Sequence, residues 1–176
     1  MKKVLLTIAM VTFVSLNLFA QTASVQKIGF VDSQTIMKAL PEAIRAQGLL
    51  DDMTKKYYAQ ADSMTGQLQQ MYSDYQKQQN TMKADRKKES EQAIVAKQQE
   101  LEVFKQTKFG QQGELVKKQE ELFAPVKEKI LKGIQDVAKD ESMNFIFDKT
   151  GDVLLLFADS AYDVTFKVLD KIRTKK

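Results

Sequence analysis

The 176-residue sequence contains no cysteine, no histidine and no tryptophan, and only two prolines. Without cysteine there is no disulfide and no thiol nucleophile, and without histidine the commonest general base and metal ligand is missing. Carboxylates, lysines and serines remain, but none stands in a recognisable catalytic motif. The sequence therefore predicts no catalytic residue, no metal site and no cofactor, and an enzyme is the functional class that it supports least.

The first twenty residues have the pattern of a targeting segment. Lys2 and Lys3 form a charged start, and a largely apolar run from Val4 ends at Ala20. This pattern is typical of a cleaved signal peptide, and the run is short for a membrane anchor. We expect residues 1–20 to be removed on secretion across the inner membrane. The mature chain then has 25 basic and 23 acidic residues, a net charge of +2 that gives no support to a nucleic-acid partner.

The segment between Pro41 and Pro125 is rich in strong helix formers and repeats every seven residues. Its first half carries two interleaved series of apolar or aromatic residues, namely Leu50, Tyr57, Met64 and Met71, and Ala61, Leu68, Tyr75 and Met82. Its second half and the chain beyond Pro125 carry two more, Ile94, Leu101, Leu115 and Leu122, and Phe109, Val116, Phe123, Ile130 and Val137. Lys108 is the polar exception on the first of these later grids.

The polar segment at residues 80–92 lies midway between the prolines and lacks this repeat. We therefore predict two antiparallel helices over residues 41–140, a long coiled-coil hairpin arm with its tip near residues 80–90. A single continuous helix is the alternative. Gly110 and Gly113 interrupt the descending helix, and they either let the arm bend or are tolerated surface glycines.

Short strand-type runs flank the arm, at residues 27–32, 144–148 and 153–158. The hairpin brings the first two together. The third run, VLLLFA, is apolar on both faces of the expected strand, so both faces must be covered. One chain has too little material to cover them and to form a compact core. We therefore predict an α+β protein in which residues 21–40 and 141–176 form a β-rich body shared among protomers. The residues expected to build it are Ile28, Phe30, Phe145, Phe147, Leu154, Leu155 and Leu156.

The chain after these strands predicts a last helix. Asp163 is placed to cap it, and the spacing of Val164, Val168 and Ile172 puts the three on one face.

The order of these parts resembles the Skp/OmpH family of periplasmic chaperones over essentially the whole mature chain. The stretches that carry the resemblance are KIGFVDSQTIMKALPEA, MKADRKK, ELFAPVKEKILKGIQDVAKDE and FIFDKTGDVLLLFADSAYDVTFKVLDKI. The resemblance implies a jellyfish-like homotrimer, with a β-barrel-like body and three helical arms around a cavity. It also implies ATP-independent holding of unfolded outer-membrane β-barrel proteins in the periplasm.

A holdase needs adaptable contact surface rather than a catalytic site. Candidates for contact with client proteins lie on the arm outside the heptad grid: Met53, Tyr58 and Tyr72. Candidates for contact with anionic lipid or lipopolysaccharide lie at the tip, where an ordinary solvated turn is the alternative: Lys83, Arg86, Lys87 and Lys88. The alternative function is a structural coiled-coil adaptor of the cell envelope, whose arms pack on one fixed partner.

Overall fold

The structure, a computed structural model, describes residues 26–151 and 155–174. The predicted signal peptide and the predicted body residue Leu154 lie outside these residues. In chain order the elements are β1 (Ile28–Val31), α1 (Ser33–Ala39), α2 (Pro41–Gln78), α3 (Ala84–Phe109), α4 (Glu114–Asp140), β2 (Phe145–Asp148), a 3-10 turn (Ser160–Tyr162) and α5 (Thr165–Thr174).

The long helices are the dominant feature, and the prediction of long helices is confirmed, but the descending side of the arm is two helices, α3 and α4, and not one. Pro41 stands in the first turn of α2, where its missing N–H costs no helical hydrogen bond. Helix α2 packs against both α3 and α4, which excludes the single continuous helix. Residues 79–83 join α2 to α3, at the N-terminal edge of the predicted tip. Residues 84–90 belong to α3 because alanine, arginine, lysine and glutamate favour helix even without an apolar repeat.

The predicted heptad positions lie on the sides of the helices that face one another. The buried seam residues of the outer arm are Tyr57, Ala61, Ile94 and Leu101. The other seam residues between positions 50 and 82 are half-buried: Leu50, Met64, Leu68, Met71 and Tyr75 on α2, and Met82 in the turn that follows α2. The outer arm is thus a thin two-helix layer with few fully buried side chains.

The descending half of the arm is broken at residues 110–113. Gly110 (φ −62°, ψ 169°) ends α3 and Gly113 (φ −71°, ψ 171°) precedes α4, and the Gly113 N–H donates to the Gly110 carbonyl at 2.8 Å. A Cβ on Gly110 would overlap the Gln106 carbonyl oxygen, and one on Gly113 would lie 2.9 Å from that of Lys108. The break therefore requires glycine at both positions because of close backbone approach. Helix α4 then runs through Pro125.

The base of the molecule contains a continuous apolar core. It is formed where β1, α1, α5 and the inner ends of α2 and α4 meet, and its buried residues are Val31, Ile36, Leu40, Ala43, Ala46, Phe123, Val126, Ile130, Val137, Val164, Val168, Leu169 and Ile172. The Asp163 carboxylate accepts the Thr165 N–H at 2.9 Å, as expected of the cap of α5. The expectation that one chain has too little material for a compact core is wrong, because the arm helices and α1 contribute to it.

The sheet in the described residues has two parallel strands, with Ile28 opposite Phe145 and Phe30 opposite Phe147. Residues 155–159 are neither helix nor strand, so no third strand is found in the described part of the VLLLFA run. The body is also more helical than predicted. Helix α1 was missed, although Asp32 is a recognisable N-cap whose carboxylate accepts the Thr35 N–H at 2.7 Å.

Candidate functional site

The two-stranded sheet has one covered and one open face. Val31 and Ile146 pack on the core, whereas alternate residues point to the other side. On that side Ile28 is 44%, Phe145 49% and Phe147 38% exposed, although all are apolar. The two phenylalanine rings stack, with centroids 6.5 Å apart and planes inclined by 14°.

An apolar groove of about 520 Å³ continues from this face to the segment before α5. Its apolar and aromatic lining includes Ile28, Phe30, Phe147, Leu155, Phe157 and Tyr162. We call these six residues, with Phe145 and Leu156, the open sheet face. Leu156 and Phe157 are each 86% exposed, and a soluble monomer seldom exposes so much contiguous apolar surface. The open sheet face is therefore a candidate protein interface.

The described residues predicted for the body all belong to the open sheet face, and Phe30 is the one that is buried within the chain. Sequence reasoning missed Phe157 and Tyr162, as well as Phe166, which is 75% exposed on α5. The sequence could have identified Phe157 as an interface residue, because it directly follows the apolar run VLLL.

A polar cluster fixes the end of the sheet to the start of α1. The Asp148 carboxylate accepts hydrogen bonds from the Ser33 N–H at 3.2 Å and from the Thr150 N–H at 3.0 Å. Burial raises the pKa of Asp148, but these bonds and those from the two hydroxyls outweigh it and leave the pKa below its usual value. Lys149 pairs with Asp32 at 3.2 Å. Both strand ends are therefore held to one helix, which orients the open sheet face.

The three candidates for client contact on the arm do not form a single pocket. Tyr58 is 56% and Tyr72 43% exposed, while Met53 is half-buried. They spread over roughly 28 Å of α2 at about 1.5 Å per residue. The ring of Tyr58 packs on Phe109 with centroids 4.7 Å apart. Because the prediction considered only methionine and tyrosine, it missed other exposed apolar side chains outside the heptad grid: Ile44, Leu49, Val95, Val103 and Leu131.

The middle of the arm contains a polar cluster beside the break. The Tyr57 hydroxyl donates to Glu114 Oε2 at 2.6 Å, and Lys108 Nζ donates to Glu114 Oε1 at 2.5 Å. The ammonium of Lys108 lies 4.9 Å from the centroid of the Tyr57 ring. The hydrogen bond that Lys108 donates, and to a lesser extent the one that Tyr57 donates, hold the pKa of Glu114 below its usual value. The hydrogen bond from the Tyr57 hydroxyl to Glu114 raises the pKa of Tyr57. We call these three residues the Tyr57 cluster.

The basic residues of the tip, which we call the tip cations, are all exposed. Lys83 lies in the turn, and Arg86, Lys87 and Lys88 lie in the first two turns of α3. Arg86 pairs with Glu89 at 3.3 Å, a solvent-exposed pair that contributes little stability. Positive charge opposes the dipole at a helix N-terminus, so the charges of these residues do not stabilise the helix that carries them, although arginine and lysine have high helix propensity.

Two further properties hold for the residues that the structure describes. No helix among them is both long and apolar enough to cross a membrane. No group of three acidic side chains in these ranges is placed to hold a metal ion.

Together the long broken arm, the two-stranded sheet and the helical base define an α+β protein with a projecting helical hairpin. A family model described as "Outer membrane protein (OmpH-like)" matches residues 27–172. The chain belongs to this OmpH-like family, which confirms the resemblance drawn from the sequence.

A solved structure has the same fold. It is the crystal structure of a proposed OmpH-like outer membrane chaperone from Caulobacter crescentus CB15. The match has a TM-score of 0.69 and covers 87% of each chain, at 14% sequence identity. No curated protein matches the sequence.

Proposed function

We propose that the protein is an ATP-independent holdase chaperone of the periplasm, which binds unfolded outer-membrane β-barrel proteins between its arms and prevents their aggregation. Membership of the OmpH-like family and the similarity to the Caulobacter protein support a chaperone role in general. The signal-peptide pattern of residues 1–20 supports the periplasm.

The single observation that carries the proposal is the combination of an open sheet face on the base with a helical arm that extends beyond the core. Because the apolar face is at the base, several chains can cover it by joining there, which leaves their arms free to surround a cavity. We propose a homotrimer, the number implied by the family resemblance. Ile28, Phe145 and Phe147 are the contacts that we expect to be buried between protomers.

The arm supplies the client surface. An unfolded membrane protein exposes apolar segments that aggregate unless they are kept apart. Single exposed apolar side chains along the arm, among them Tyr58, Tyr72 and Val103, offer many weak contacts without one rigid pocket. Met53 adds an unbranched, adaptable side chain. Such a surface suits clients that share hydrophobicity rather than a sequence.

The tip cations are proposed to contact anionic lipid or lipopolysaccharide headgroups. Two features support this proposal: the side chains are exposed, and their charges interact unfavourably with the dipole of the helix on which they lie. Replacing Arg86, Lys87 and Lys88 by glutamine should leave the fold intact and weaken co-sedimentation with phosphatidylglycerol vesicles at low salt. Replacing Lys55 and Lys56 of α2 and Lys132 of α4, which are also exposed, by glutamine removes the same number of charges and is the matched control. Unchanged vesicle binding by the tip variant would identify the tip as an ordinary solvated turn.

Light scattering tests the main proposal. The mature protein is measured alone and after mixing with a urea-unfolded outer-membrane β-barrel that is diluted into buffer. The proposal predicts the mass of a trimer alone and a discrete larger complex with the client. A tight complex with one folded envelope protein and none with unfolded clients would instead favour the structural adaptor.

A further inference from the structure

The break at residues 110–113 interrupts only one of the two helices of the arm. Opposite it, α2 is unbroken from Pro41 to Gln78. The covalent link between α3 and α4 is a four-residue turn with one internal backbone hydrogen bond, from Gly113 to Gly110. The angle between the two helices must therefore be fixed largely by side chains.

Tyr57 of α2 contacts both sides of the break. Its ring packs edge-on against Phe104 and Phe109 at the end of α3, with both centroids 6.3 Å away. Its hydroxyl reaches Glu114, the first residue of α4. Tyr57 is 8% exposed, so this single side chain is buried where the three helices meet.

Lys108 completes a bridge across the break. It occupies a heptad seam position, where an apolar residue is expected. Its ammonium instead lies over the ring of Tyr57 and pairs with Glu114, so it joins the last turn of α3 to the first turn of α4. The polar exception in the repeat thus coincides with the place where the helix is interrupted.

We propose that the Tyr57 cluster is a latch that fixes the angle between α3 and α4 against the unbroken α2 and so limits the bending of the arm at the break. When the latch is closed, the Tyr57 hydroxyl holds α4 to α2, and Lys108 holds α3 to α4 through Glu114. When it opens, α3 and α4 can change their angle at the two glycines, and the arm is less resistant to bending along the unbroken α2. The latch is a property of the single arm and does not depend on which client the protein binds.

Because the sequence has no cysteine, spin labels can be attached at introduced cysteines alone, and pulsed electron–electron double resonance can measure the distance between them. Spin labels are attached at Gln99→Cys on α3 and Glu128→Cys on α4, both exposed and on opposite sides of the break. Labelled protein is mixed with an excess of unlabelled protein, so that only distances within one chain are measured. The parent protein should give a single narrow distance distribution.

Three variants each remove one part of the latch: Tyr57→Phe, Glu114→Gln and Lys108→Met. The matched control is Tyr75→Phe, because Tyr75 makes the same kind of bond to Glu91 near the tip, away from the break. The latch variants should shift or broaden the distribution, and the control should leave it unchanged.

Circular dichroism identifies the variants that keep the helix content of the parent, and the distance distribution of any one such variant is sufficient to test the proposal. An unchanged distribution in these variants would overturn the proposal. Equal broadening in Tyr75→Phe would overturn it as well, because the effect would then be a general loosening of the arm.

Discussion

Replacing Phe145 and Phe147 together by serine should dissociate the assembled protein. In the single chain these side chains remain 49% and 38% exposed. A phenylalanine presents about 200 Å² of surface, so the pair leaves roughly 170 Å² for a partner to cover. At about 25 cal/mol per Å², covering it contributes about 4 kcal/mol per protomer. Its loss should weaken the apparent affinity of each protomer by about three orders of magnitude.

Sedimentation equilibrium across a range of protein concentrations measures this loss, and circular dichroism separates dissociation from unfolding. Tyr72→Ser, which removes an exposed aromatic ring from the arm, is the matched control and should assemble as the parent does. Leu156→Ser should weaken assembly in the same direction at little cost to the single chain, because its side chain is 86% exposed. A parent protein that is monomeric at micromolar concentration, or a double variant that assembles normally, would refute the reasoning.

Three further predictions concern the core, the latch and the arm. Gly133→Ala should lower the free energy of unfolding by about 1–3 kcal/mol in urea titration, because the new Cβ would lie 2.5 Å from Ile172 Cγ1. Glu114 has a pKa below its ordinary value of 4.5, so its ionised form stabilises the fold fully above pH 4.5, and this stabilisation is lost as the pH falls through the lowered pKa. The melting temperature of Glu114→Gln should therefore differ most from that of the parent above pH 4.5 and converge with it in acid. Deleting residues 70–76 with residues 89–95 removes one heptad from each side of the arm and should shorten it by roughly 10 Å. The shortened protein should still assemble but protect large unfolded barrels from aggregation less well than small ones, whereas full protection of large barrels would count against a cavity.

The helices were predictable because their signals are local. The heptad repeat and Pro41 define α2 without reference to the rest of the chain. Helix α1 is short and has little periodicity, so only the Asp32 cap marked it. The position of the tip could not be read from polarity, because the residues after 83 are polar and helix-forming at once.

The sheet and the candidate sites depend on contacts that are distant in sequence. Strand-type residues predicted that residues 27–32 and 144–148 meet, but not that the pairing is parallel. The role of Lys108 required the structure, since its partners Tyr57 and Glu114 are on two other helices. The apolar run at residues 153–158 has the composition of a strand, but β-propensity reflects burial as much as backbone preference. In the single chain Leu155, Leu156 and Phe157 of this run are exposed and form no strand.

The central claim is that the protein holds unfolded outer-membrane proteins without ATP. The most direct measurement dilutes a urea-unfolded outer-membrane β-barrel into buffer that contains the mature protein and no nucleotide, and follows turbidity. The account predicts that aggregation is suppressed once the proposed trimer is present in about the same molar amount as the client. It also predicts that the Phe145→Ser/Phe147→Ser variant fails to suppress aggregation. Aggregation that proceeds at the same rate with and without excess protein would contradict the account.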